Sequence, residues 1–314
     1  MSAAGDPALV VAPRLAAALR EGRPVVALES AVITQGLPRP LNLEVALAME
    51  SVLRQAGVEP ATIAVLDGRL RVGLEPTELE HLAGAPDARK CSLRDLPLLL
   101  GSRLSGGTTV AASLFAAHRA GIAVFATGGI GGVHRGTPFD VSADLDELGR
   151  RPITVVCSGA KSVLDLPATL EVLETRGVTL VGWRCDRLPA FYVADTGLPL
   201  GARVDDATQL ARWVRARDAL GLTGAIVVAV PVPDGQALGV AEVERLVDLA
   251  NAEARDAAIQ GAALTPYLLS AMAAHSDGRS LAANRALLVN NARVAAEIAV
   301  ELAASAGATP ARLG

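Results

Sequence analysis

Two lysines, Lys90 and Lys161, stand in a chain that carries 27 arginines. Surface charge is served equally by either cation. Nucleophilic amine chemistry is not, because a guanidinium stays protonated while a lysine amine can be deprotonated. A lysine retained among so many arginines therefore marks a position that arginine cannot fill, the plainer alternative being chance survival on the surface. Lys161 is the stronger candidate nucleophile, since it lies just past a strand-like run, Ile153 to Cys157, in the turn Ser158-Gly159-Ala160-Lys161-Ser162. A carboxylate in a comparable place, Glu29, ends the apolar run Pro24 to Leu28 and is followed by Ser30.

Other polar residues invite chemistry with a plainer reading beside it. Asp140 and Asp144, four apart with Ser142 between them, can supply oxygen ligands to Mn²⁺ or Mg²⁺. Acidic residues also simply favour a helix N-terminus, and spacing alone favours that second reading. The His134 to Asp140 spacing names no metal. Gly106-Gly107-Thr108-Thr109 ahead of a helix can cradle an anion, or can be an ordinary helix start with a Thr cap. The string Gly128 to His134 fails the dinucleotide fingerprint, because His134 occupies the sixth position of a Gly-x-Gly-x-x-Gly frame, so NAD binding is rejected. Asn284, Asn290 and Asn291 sit in an apolar helical stretch; buried amides need partners, which either an active site or a helix contact would provide.

The elements that must position these residues alternate. Strands are expected at 24–30, 62–66, 70–74, 122–126, 153–157, 178–183 and 225–230. Helices are expected at 41–55, 77–82, 110–119, 164–175, 207–219, 240–259, 265–274 and 282–304, with another opening after 139–144. Asp67-Gly68 is a hairpin turn signal, and Thr77 and Glu80 have capping-box spacing. A Gly-rich loop spans 127–137. Alternation of this kind implies a three-layer α/β/α fold with a mostly parallel central sheet and a helical C-terminal part. No linker-like tract or repeat divides the chain, so one catalytic domain over 1–314 is expected, flexible over residues 1–10. In such a sheet ligands gather beyond the carboxyl ends of the strands. Glu29, the 128–135 loop and Lys161 all fall there.

Composition narrows the classes. Aromatics make up 3% of the residues, so the core must be built from Ala, Val and Leu. A formal net charge of −4 with no basic run argues against nonspecific nucleic-acid binding. Cys91, Cys157 and Cys185 form no CxxC pair. The first thirteen residues lack the order of a signal peptide, and no apolar run is long enough to span a bilayer. A cytoplasmic protein without a membrane partner is expected.

Taken in order, these strings resemble the pseudouridine-5'-phosphate glycosidase family, also described as indigoidine-synthase-A-like proteins. The matching segments are Ala27 to Ser30, Ala64 to Arg69, Lys90 with Arg94 to Pro97, and Gly106 to Ala111. They continue through Phe125 to Gly136, Phe139 to Leu145, Val156 to Ser162 and Leu288 to Arg293. The resemblance implies Glu29 as proton donor and Lys161 as the nucleophile that forms an imine with ribose C1'. It implies Asp140 as the metal ligand, usually for Mn²⁺, and Lys90, Val110, Ser142, Ala143 and Asp144 as substrate contacts. Thr108, Thr109, His134 and Asn290 are added as candidate substrate contacts. It further implies a homotrimer acting on pseudouridine 5'-phosphate, uracil and ribose 5-phosphate. Where the family usually shows His, this chain has Gln35, which touches a secondary contact and leaves the Glu29–Lys161 pair intact. Competing readings are a class I aldolase-like lyase that also uses an imine-forming lysine, and a regulator that binds sugar phosphates without turnover.

Overall fold

The computed structural model describes residues 8–136, 140–259 and 261–306. Its central feature is a mixed sheet of eleven strands. The run Val25–Leu28 is buried at all four positions, as a strand covered on both faces requires. On one side it pairs in parallel with Glu59–Leu66, and on the other with Val124–Ala126. Beyond Val124–Ala126 the sheet continues, always in parallel, through Thr154–Cys157, Ile226–Ala229, Thr179–Trp183 and Arg203–Val204. Strand order thus differs from chain order, and the carboxyl ends of the strands before Glu29, Thr127 and Ser158 fall side by side.

The other end of the sheet departs from the parallel pattern. Asp67 and Gly68, both with positive φ, turn Glu59–Leu66 back onto Arg69–Val72 as the expected hairpin. Gly106–Thr108, expected as an anion cradle or a plain helix entry, is a strand antiparallel to Glu59–Leu66 and parallel to Arg89–Cys91. That pairing sets Lys90 opposite Gly107. A Cβ at Gly107 would lie 2.2 Å from Thr34 Oγ1, so only glycine allows the approach. Leu9–Val11, at the end of the segment expected to be flexible, is an edge strand on Arg69–Val72. Residues 1–7 lie outside the described residues, as do Thr137 and Phe139 of the loop and motif above.

Helices cover the sheet. Leu41–Gln55, Val110–Ala120, Leu166–Thr175 and Ala207–Ala219 match the expected periodicity, followed by Val240–Asp256, Leu264–His275 and the long Arg279–Ala306. The capping box before the second expected helix lies two residues earlier than the Thr77–Glu80 spacing suggested. The helix is Pro76–Gly84, and Glu78 accepts from Glu75 N at 2.9 Å. Leu164 and Asp165 leave their expected helix for a two-residue strand against Val133–His134, because the Asp165 carboxylate caps the helix at Ala168 N. The core is mostly Val, Leu and Ala, as the scarcity of aromatics demands, with Phe125 at 0% exposure on a central strand. Each such large side chain contributes roughly 1.5–3 kcal/mol on burial. Among the described residues no helix is long and apolar enough to cross a membrane.

Candidate active site

Three neighbouring strands end at one rim and aim their outgoing residues at one another. Glu29 leaves the first, Thr127 the second, and the Ser158–Ser162 turn with Lys161 the third. Thr127 Oγ1 donates to Glu29 Oε1. Two cavities meet at this rim. The outer, more polar cleft is lined by Thr109, Val110, His134, Asp140 and the segment Ser142 to Asp144. The inner cavity has mostly apolar walls, among them Val32, Phe191, Leu269 and Leu288. Glu29, Lys90 and Lys161 line both.

Burial pushes the Glu29 carboxyl above the usual carboxylate range, against the pull of Lys161 and the hydrogen bond from Thr127. A carboxyl held protonated toward neutral pH is a competent general acid. Burial likewise pushes the Lys90 ammonium down. Repulsion from Lys161 adds to that, and Asp144 and Glu29 oppose it. The His134 ring is lowered by burial, with Asp140 acting against it. An acid and two amines that sense one another in a part-buried cleft are the parts needed for proton donation combined with amine attack.

Asp144 is an organiser of this rim. At 6% exposure its carboxylate accepts from Ala111 N at 2.9 Å and from Gly131 N at 2.8 Å, joining the start of Val110–Ala120 to the Gly-rich loop. Its own N–H is capped by Ser142 Oγ at 3.2 Å. Of the two readings of the Asp140–Asp144 pair, the helix-terminus one therefore describes Asp144. Asp140 faces the outer cleft beside His134, whose N–H donates to the Asp140 carbonyl at 2.9 Å. Among the described residues no three His, Cys, Asp or Glu side chains converge on a metal position. A divalent ion held by Asp140 would complete its shell with water and substrate oxygens, as hard ions of the Mg²⁺ type do.

Neighbouring threonines divide the labour at the helix start. Thr108, expected as a contact, lines neither cavity: its hydroxyl donates to Ile63 O at 2.6 Å and accepts from Ser113. Thr109 occupies the N-cap position of Val110–Ala120 without making a cap bond; the residue lines the outer cleft, and its buried hydroxyl has no partner. That orphan favours the anion-cradle reading over an ordinary cap.

The asparagines sort in the same manner. Asn290, expected at the site, lines neither cavity and accepts from Arg293 at 3.0 Å. Asn291 is buried behind the rim and donates to Thr127 O at 2.9 Å and Ser158 Oγ at 3.1 Å. Asn284, 3% exposed, lines the inner cavity with an unpartnered Oδ1. Gln35, in one turn of π-helix over Val32–Gly36, also lines that cavity, and its amide nitrogen donates to Ala88 O at 2.8 Å.

Phe191 gave no signal in the sequence. Its φ of 55° is left-handed, rare for a bulky residue. Its N–H donates to Ser158 O at 2.7 Å. The ring lies so close to Gly129 that a Cβ there would be 2.6 Å from it.

Comparisons with known proteins converge on one family. A family model described as indigoidine synthase A like protein matches residues 14–301. Pseudouridine-5'-phosphate glycosidase of Herpetosiphon aurantiacus is 54% identical over 296 residues, spanning 94% of this chain and 98% of that protein. The protein of the same name from Methylobacterium nodulans is 50% identical, spanning 97% and 91%. Among solved structures, the prealnumycin C-glycosynthase AlnA in complex with ribulose 5-phosphate superposes with a TM-score of 0.88 at 40% identity, covering 97% of this chain and 100% of that one. An indigoidine synthase A-like protein from Thermotoga maritima gives 0.86 at 33% identity, covering 94% and 96%.

Proposed function

Because this chain belongs to the indigoidine synthase A like family, we propose that it is a pseudouridine-5'-phosphate glycosidase, interconverting pseudouridine 5'-phosphate with uracil and ribose 5-phosphate. The observation that carries this reading is the meeting of Glu29 and Lys161 where a polar cleft joins a largely apolar cavity. The ribose phosphate fits the outer cleft, near Lys90 and the orphan hydroxyl of Thr109. Uracil fits the inner one, where a base N–H would supply the donor that Asn284 Oδ1 lacks.

The bond to be broken joins ribose C1' to uracil C5. A carbon leaving group cannot be expelled by the acid-assisted route used for oxygen, so the sugar opens first. Glu29, protonated, donates to the ring oxygen as the Lys161 amine attacks C1' and the C1'–O bond breaks. The attached nitrogen then loses a proton to Glu29. Its lone pair expels uracil, C5 takes the proton from Glu29, and a C1'–Nζ iminium remains. Water adds to that iminium, releasing ribose 5-phosphate and the free amine. Each proton given by Glu29 is regained within the cycle.

A divalent ion held by Asp140, Mn²⁺ by the family resemblance, would neutralise charge on the bound phosphate. Assembly as a homotrimer and work in the cytoplasm belong to the same proposal; sedimentation velocity tests the first and fractionation the second. The central test is chemical. Wild-type protein is expected to release uracil, and borohydride with ribose 5-phosphate is expected to fix covalent mass on the Lys161 peptide. Lys161→Ala is expected to fold and do neither. Uracil release by that variant at the wild-type rate would end the mechanism. An aldolase-like lyase would trap a sugar without releasing uracil, and a pure binder would gain no mass.

A further inference from the structure

The turn that carries Lys161 is held from behind by a residue the reaction does not use. We propose that Arg135 is a positioning residue for the Lys161 amine, clamping the backbone just past the lysine. The proposal rests on the glycosidase reading of the site.

Lys161 N donates to Ile130 O at 3.1 Å, stitching the lysine's backbone to the Gly-rich loop, and Leu164 N donates to Lys161 O at 3.1 Å within the turn. The carbonyls that follow are taken by Arg135. Its Nε donates to Leu164 O at 3.1 Å and its Nη2 to Ser162 O at 3.2 Å. The outer edge of the same guanidinium grips Glu244 on Val240–Asp256, with Nη1 2.7 Å and Nη2 3.0 Å from the two carboxylate oxygens. Ser162 carries the tie onward: its hydroxyl donates to Ala190 O at 2.6 Å, one residue before Phe191.

The arrangement demands arginine. A planar fork of N–H groups can address two carbonyls and a carboxylate together, while a single ammonium cannot. Direction matters as well. His134, one residue earlier, lines the outer cleft, whereas Arg135 lines neither active-site cavity and instead borders a separate cleft with Ser162, Leu164 and Glu244. Arg135 therefore acts through Lys161 and not on the substrate. Amine attack on C1' tolerates little error in Nζ placement, and a displacement of about 1 Å costs roughly 10²-fold in rate.

The test compares Arg135→Ala, Arg135→Lys and Glu244→Gln with wild type. Turnover of pseudouridine 5'-phosphate and the rate of borohydride-trapped adduct at Lys161 with ribose 5-phosphate are both measured. For Arg135→Ala, kcat and trapping rate are expected to fall about 10²-fold with KM moving less than about threefold, and added guanidinium ion is expected to restore part of both. Arg135→Lys should fall nearly as far, and Glu244→Gln by less. A folded Arg135→Ala protein with wild-type kcat and trapping rate would overturn the proposal, as would a loss confined to KM. Should Arg135→Ala fail to fold, a folded Arg135→Lys protein with wild-type kcat overturns it equally. A wild-type protein that neither releases uracil nor forms the adduct sinks the glycosidase reading and the clamp with it; an active wild type with equally active variants sinks the clamp alone.

Discussion

Replacing Asn291 with alanine tests whether the rim is held in place from the back of the sheet. Asn291 is fully buried, and its amide nitrogen carries two hydrogens. These go to Thr127 O at 2.9 Å and Ser158 Oγ at 3.1 Å, with Gly128 O a weaker third acceptor at 3.4 Å. Each bond contributes about 1 kcal/mol net. Its loss leaves the Thr127 carbonyl buried and unpaired, which alone costs about 1–3 kcal/mol. The Ser158 hydroxyl can rotate toward another acceptor and adds less. A destabilisation of roughly 2–4 kcal/mol follows, measurable by urea unfolding. Activity should fall with it, because Thr127 is the residue whose hydroxyl orients the Glu29 carboxyl. Asn291→Asp keeps the shape but removes both donors, and should behave like the alanine variant. A change below about 0.5 kcal/mol for either variant, the size of an ordinary surface substitution, would refute this account of the rim.

Three further outcomes are expected. Burial holds the Glu29 proton in the folded chain to a pH above that of the unfolded chain. The associated stability is therefore complete below the ordinary carboxylate pKa and is lost as pH rises through the folded value. Glu29→Gln should accordingly abolish turnover yet gain Tm over wild type progressively across that window; a Tm difference independent of pH would contradict the assignment. Gly131→Ala would set a methyl 2.3 Å from Ser142 Oγ and 2.8 Å from Asp144 Oδ2. It should cost about 1–3 kcal/mol and raise KM, whereas a neutral result in unfolding and kinetics would contradict the close approach. Asn284→Leu removes an unpaired buried acceptor, so it should melt no lower than wild type while KM rises about tenfold, the equivalent of about 1.4 kcal/mol; an unchanged KM would separate Asn284 from the base.

Much of the site was legible as chemistry before it was legible as geometry. The scarcity of lysine pointed to Lys90 and Lys161, and both line the junction of the two cavities. Apolar runs of strand length placed Glu29 and Lys161 just past strand ends, and the rule that ligands gather there drew them together. The alternation of elements carried the fold class, since hydrophobic periodicity is a local property that short windows record. It missed short strands such as Arg89–Cys91 and Arg203–Val204, where two or three residues carry no period.

What the linear chain determined, then, was which side chains are able to react and roughly which elements bear them. Only the folded sheet decided which of them are brought together. Asn291, and not Asn290, reaches Thr127, 164 positions away. Thr109, and not Thr108, opens onto the outer cleft, and Phe191 takes a left-handed backbone to wall the inner one. Adjacent residues of one type differ by the direction in which the backbone turns them. That direction is set by pairing with strands and helices distant in the chain, which no local pattern contains.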